Sequence, residues 1–96
     1  MTIELKKFGT TLTARQNGKE AFIGFTPTLK SVNENELVYV DFDGVNTFSP
    51  SWGDEFLTQL HYMFRERLIL KKTNNPSVNT TIATLEETNN IKFSIQ

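Results

Sequence analysis

At 96 residues the chain has room for one domain, residues 1–96, burying somewhat more than about 60% of the surface its unfolded form exposes, enough for an ordinary core. It has no cysteine, which excludes disulfides, thiolate metal sites and a thiol nucleophile and is compatible with a cytoplasmic location. A formal charge of -1 gives no general pull toward phosphate backbones or anionic lipid, and no stretch approaches the roughly 20 apolar residues of a membrane span, so neither nucleic acid nor membrane is an expected partner.

Met1 to Gly9 has no apolar run of the signal-peptide kind and is read as part of the fold. Ile3 and Leu5 alternate with Thr2, Glu4 and Lys6, the period of a half-exposed strand, expected at a sheet edge and ending near Phe8 and Gly9. Thr13 to Gln16 has the spacing of a capping box, and Ala14, Gly18, Ala21, Phe22 and Phe25 follow at helical intervals. Glycine costs about 1 kcal/mol against alanine in an exposed helix, so Gly18 on the apolar face points to close packing on a sheet. Pro27 is expected to end or kink this helix near Phe25, although Leu29 keeps the phase and allows a further turn. Ser31 to Glu36 is a polar loop.

Leu37 to Phe42 is nearly continuous in apolar, β-branched and aromatic residues, which predicts a central, parallel strand covered on both faces. Asp43-Gly44 allows a turn, and Val45 and Phe48 return to the core. Ser49-Pro50 then reads as N-cap and first helical residue; in an alternative frame Ser51 is the N-cap, with Asp54 three residues on. Trp52, Phe56, Leu60, Phe64 and Leu68 recur every four residues, opposite Gln59, Glu66 and Arg67, which predicts a helix reaching Leu70 with Lys71-Lys72 at its end. After a loop at Thr73 to Ser77, the β-branched run Thr80 to Leu85 predicts a strand. From Glu87 the tail fits either a strand, by alternation of Ile91, Phe93 and Ile95, or one helical face carrying Ile91 and Ile95. Together these elements predict a small α/β domain: a mixed, mostly parallel sheet with helices packed against it through right-handed crossovers.

Few residues carry chemistry. His61 falls outside the apolar stripe and has no evident partner. Asp41, Asp43, Asp54 and Glu55 gather near one strand end, where Asp41, Asp43 and Asp54 suggest a minor reading as a metal or small-ligand site, since hard cations take oxygen ligands. Arg65, Arg67, Lys71 and Lys72 suit a helix end and lack the aromatic interleaving of a nucleic-acid patch. There is no phosphate-binding loop, dinucleotide fingerprint or nucleophile elbow, and no cofactor is expected.

The stretch Asp41-Phe42-Asp43-Gly44-Val45 followed by Phe48-Ser49-Pro50-Ser51-Trp52-Gly53-Asp54-Glu55-Phe56-Leu57 resembles the signature of the STAS-like domains of unknown function. Thr13-Ala14-Arg15 resembles that family's early Ser/Thr-x-Arg element. More distantly the pattern is similar to true STAS domains, the anti-sigma factor antagonists, whose elbow carries Asp-Ser-Ser-Gly. The resemblance implies a STAS-like fold and a regulatory, non-enzymatic module. It implies a phosphorylatable serine at Ser51, with Ser49 the neighbouring candidate, and a partner ATPase of the histidine-kinase-like fold. Docking would then involve Asp43, Ser49, Ser51, Trp52, Asp54 and Glu55. Ser49 stands where the antagonists have Asp, and Trp52 where they have Gly. The bare reading of the same residues is structural: serines as caps, Asp54 and Glu55 placed for the helix dipole, and Trp52 in the core by its spacing to Phe56, although Trp is also common at binding hot spots. An alternative function is a constitutive inhibitor or adaptor of phage or mobile-element type on the same fold. Open sheet edges are one reason for such a domain to form a homodimer.

Overall fold

Parallel strands cannot be joined by hairpins, so a chain that pairs its strands in parallel must cross over between them. The computed structural model, which describes residues 1–96, is built on this rule. Its elements are β1 (Thr2–Glu4), β2 (Thr11–Leu12), α1 (Arg15–Lys30), β3 (Val38–Asp41), β4 (Thr47–Phe48), α2 (Pro50–Phe64), β5 (Leu68–Leu70), α3 (Pro76–Asn89) and β6 (Ser94–Ile95). Four strands form a parallel sheet in the order β1-β3-β5-β6, and β2 and β4 form a separate parallel pair. The three helices form one layer with α2 in the middle, packed against both α1 and α3. The result is a small α/β fold.

The core lies between that layer and one face of the sheet. Ile3, Val38, Val40, Leu68 and Leu70 supply the sheet side, and Phe25, Phe48, Trp52 and Phe56 much of the helix side. Trp52 and Phe56 stack with ring centroids 4.9 Å apart, and Phe8 leans on both from the segment after β1.

Several sequence expectations give way here. The first strand stops at Glu4, and Leu5–Phe8 winds into a 3-10 turn that buries Leu5 and half-buries Phe8. The edge position of that strand holds. Helix α1 starts one residue after Ala14 with no capping side chain, so the Thr13–Gln16 box does not form. It does not end near Phe25 but takes the further turn that Leu29 allowed, running through an exposed Pro27 to Lys30. Gly18 does pack closely, but on the backbone of Trp52 in α2 and not on the sheet. In β3 burial alternates: Val38 and Val40 are buried, while Tyr39 and Asp41 are half-buried, so the strand is central but not equally covered on both faces.

The largest differences lie after Phe64. Arg65 adopts φ 53° and ψ -126°, which no helix continues, and Leu68–Leu70 becomes the buried strand β5. Leu68 therefore keeps the four-residue spacing by coincidence, and Lys71-Lys72 does not end a helix. The predicted strand Thr80–Leu85 is part of α3, whose buried Val78, Thr81, Ile82 and Leu85 share one helical face. Asn75 caps it by accepting from the Ser77 amide at 2.9 Å, and Pro76 is its first residue. In the tail Glu87–Asn89 complete α3, Phe93 is buried, and the strand alternative holds only for Ser94–Ile95, which form β6 and pair with β5.

Candidate functional site

The elbow between β3 and α2 is held by hydrogen bonds to several of its backbone groups, one from a neighbouring side chain and the rest from distant parts of the chain. Asp41 Oδ1 accepts from the Asp43 amide at 3.0 Å, and Gly44 takes the positive φ of 86° that the turn needs. The chain then pairs with β2: the amides of Asn46 and Thr47 both donate to the Thr10 carbonyl, and the Ser49 amide donates to the Leu12 carbonyl. From the other side, Asn75 Nδ2 donates to the Val45 carbonyl at 2.8 Å, Ser77 Oγ accepts from the Phe48 amide at 3.0 Å, and Thr81 Oγ1 donates to the Phe48 carbonyl. The elbow is thus held by β2 and α3 together.

The two serines play different parts. Ser49 is the N-cap of α2: its Oγ accepts from the Trp52 amide at 3.2 Å and donates to the Thr13 carbonyl at 2.7 Å. This is the Ser49-Pro50 frame; the frame with Ser51 as N-cap does not form. The Ser51 hydroxyl makes no hydrogen bond within the chain, and the residue is half-buried in the first turn. Ser49 is committed to structure, whereas the Ser51 hydroxyl supports no other group of the chain. Trp52 is 2% exposed, so its indole belongs to the core and is withdrawn from any partner-facing surface. Asp43 is exposed on the turn.

The acids do not converge. Asp54 and Glu55 are bridged by Arg15 Nη1 of α1 at 3.3 and 2.8 Å, and Asp54 also accepts from Asn89 Nδ2 of α3 at 3.3 Å. The carboxylates hold the Arg15 guanidinium above its ordinary value, Asp54 contributing most and Glu55 next. Asp41 lies 4.0 Å from Lys71 Nζ instead. No three carboxylate or imidazole side chains come together in a set that could hold a metal ion, so Asp41, Asp43 and Asp54 do not form the cation site that their sequence proximity suggested. His61 is half-buried further along α2, edge-on to Phe93 with ring centroids 5.5 Å apart. Desolvation lowers its pKa, with nearby Arg65 adding to the effect.

Sequence reasoning singled out Arg15, Asp54 and Glu55 but not their pairing, and it missed the four α3-side residues Asn75, Ser77, Thr81 and Asn89. Asn75-Pro76 repeats the cap-then-proline pattern of Ser49-Pro50 and was the available signal for that helix start. The pairing of Arg15 with residues about forty positions away has no local signature.

The model of the STAS-like domain of unknown function (DUF4325) matches residues 25–78, more than half the chain. The protein belongs to this family. The matched stretch runs from the second half of α1 to the start of α3 and contains the whole elbow, while Arg15 precedes it. No curated protein and no solved structure matches the chain. No helix of this STAS-like protein is long and apolar enough to cross a membrane.

Proposed function

We propose that this STAS-like protein is a non-enzymatic regulatory module that docks a protein partner on its elbow and on the exposed side of α2. The contact surface comprises Asp43, Ser51, Asp54 and Glu55, continued along α2 by Gln59 and Tyr62, with Ser49 supporting it from beneath. The partner is an ATPase of the histidine-kinase-like fold, and phosphate on Ser51 controls the complex. One observation carries this reading: Ser51 is an uncommitted hydroxyl on the first turn of a helix whose start is fixed from both sides. Helix N-termini favour negative charge, and a phosphate adds about -1.5 to -2 there at pH 7.

A second reading has its own support. Asp54 and Glu55 occupy the same turn as Ser51 and would repel a phosphate, which favours a constitutive binding module of inhibitor or adaptor type. Affinity capture separates the two. Wild-type and Ser51→Asp baits are exposed to lysate of the source cells, and retained proteins and the bait are analysed by mass spectrometry. Recovery of an ATPase by wild type but not by Ser51→Asp, with phosphate on Ser51, is the expected result. Equal recovery of the same protein by both baits would sink the phosphoswitch and leave the constitutive reading.

A further inference from the structure

Thr13-Ala14-Arg15 is not part of the docking surface, yet both of its ends meet the head of α2. The Thr13 carbonyl accepts from Ser49 Oγ at 2.7 Å, and Arg15 Nη1 lies 3.3 Å from Asp54 and 2.8 Å from Glu55. An α-helix turns about 100° per residue, so Asp54 and Glu55 fall about 60° to one side of Ser51 and about 40° to the other, one turn further on. Helical side chains lean toward the N-terminus, which carries both carboxylates back toward Ser51, and residues so spaced have Cβ atoms roughly 5–6 Å apart. The guanidinium that bridges the two acids therefore lies over the track that leads to Ser51. The Arg15 side chain is 55% exposed, so no packing ties it to its present partners. Asp54 also holds Asn89 Nδ2, whereas Glu55 has no hydrogen-bond partner but Arg15.

We propose, resting on the phosphoserine reading of Ser51, that Arg15 is the counter-ion of the phosphate: on phosphorylation the guanidinium leaves Glu55 and closes on the phosphate. Before modification one cation faces two carboxylates. A phosphate adds about -1.5 to -2 charge at pH 7, and two bare carboxylates beside it would repel it. Arg15 offsets that repulsion from a position already fixed by the Thr13–Ser49 bond two residues away. Its planar fork of donors fits phosphate oxygens two at a time, and the doubly charged group attracts it more strongly than a single carboxylate does. Asp54 keeps Asn89, so Glu55 is the acid left without a partner. Phosphate on Ser51 thus changes the contact surface twice, by its own charge and by releasing Glu55 from α1.

Phosphoserine incorporated in place of Ser51 during synthesis of the full chain allows a direct test, with circular dichroism confirming that each protein is folded. Phosphorus NMR follows the second ionisation of the phosphate, ordinarily near about 6, in the otherwise wild-type chain, in Arg15→Gln and in Lys30→Gln. Lys30→Gln removes the same charge at the far end of α1. Loss of a paired cation should raise the midpoint by about one pH unit in Arg15→Gln, and Lys30→Gln should leave it unchanged. In the chain that keeps Arg15, its Nε–H resonance should shift with the same midpoint as the phosphorus signal. Equal midpoints in all three proteins overturn the proposal, as does an equal rise in both variants or an Arg15 resonance that ignores the phosphate titration. The phosphate is installed without a kinase, so these outcomes do not depend on whether cells phosphorylate Ser51. Capture from lysate decides that separately, and a failed Arg15 contact is thereby told apart from a failed phosphoswitch.

Discussion

The close approach of Gly18 to the backbone of α2 yields a sharp test of the packing. A Cβ added to Gly18 would lie 2.7 Å from the Trp52 carbonyl oxygen, 3.0 Å from its Cα and 3.2 Å from its carbonyl carbon. These are main-chain atoms at the head of α2, so relief requires α1 and α2 to separate. Overpacking of this kind costs about 1–3 kcal/mol, and a rigid backbone neighbour puts Gly18→Ala near the top of that range. Helix propensity returns about 1 kcal/mol, leaving a net loss of about 2 kcal/mol. For a domain near this size that lowers the melting temperature by roughly 10 °C. Gly24 is the control: it lies in the same helix with nothing within 4 Å of an added Cβ, so Gly24→Ala should gain about 1 kcal/mol from propensity alone. Denaturant unfolding followed by circular dichroism and by the fluorescence of the one tryptophan measures both. If Gly18→Ala stabilises the protein as Gly24→Ala does, the close contact with α2 is wrong.

Three further outcomes follow from the geometry. Ser49→Ala removes the N-cap of α2 and the link to Thr13, and should cost about 1–2 kcal/mol, whereas Ser51→Ala should change stability by less than about 0.5 kcal/mol in the same denaturant series. Arg65→Gly relieves a φ of 53° that costs a non-glycine residue about 1–3 kcal/mol; after the unfolded-state entropy of glycine, about 0.5–1 kcal/mol, a net rise in stability is expected, and a fall would contradict the assigned turn. His61 is harder to protonate in the folded state than in the unfolded chain, so the unfolded state binds more protons as pH falls through the ordinary histidine range. Stability should therefore drop on acidification through that window and level off below the folded pKa, and thermal melts of His61→Gln should lack this component.

What local sequence made legible, and what it did not, follows from where each signal is stored. The start of α2 is written in adjacent residues, Ser49 and Pro50, and was readable for that reason. The same pattern at Asn75-Pro76 was outweighed by the β-branched run Thr80 to Leu85, although burial of Val78, Thr81, Ile82 and Leu85 on one face overrode the propensity of those residues. The break at Arg65 left no trace, because a positive φ at arginine has no composition signal, and Leu68 continued the spacing of Phe64. At the site, the elbow and the place of both serines at the head of α2 were legible from the order of residues. The division of labour between Ser49 and Ser51 was not, since it depends on the Thr13 carbonyl being brought to Ser49 Oγ by the β2–β4 pair.

Because the elbow is held by β2 and α3 before any partner arrives, little ordering entropy is left to lose on docking. Ser51→Asp should therefore weaken capture of a partner through the charge it adds to the contact surface and not by disordering the elbow. Its circular dichroism and denaturant midpoint should stay close to those of wild type, since the Ser51 hydroxyl supports no other group of the chain; a large loss of stability in this variant would show that the effect on capture is structural.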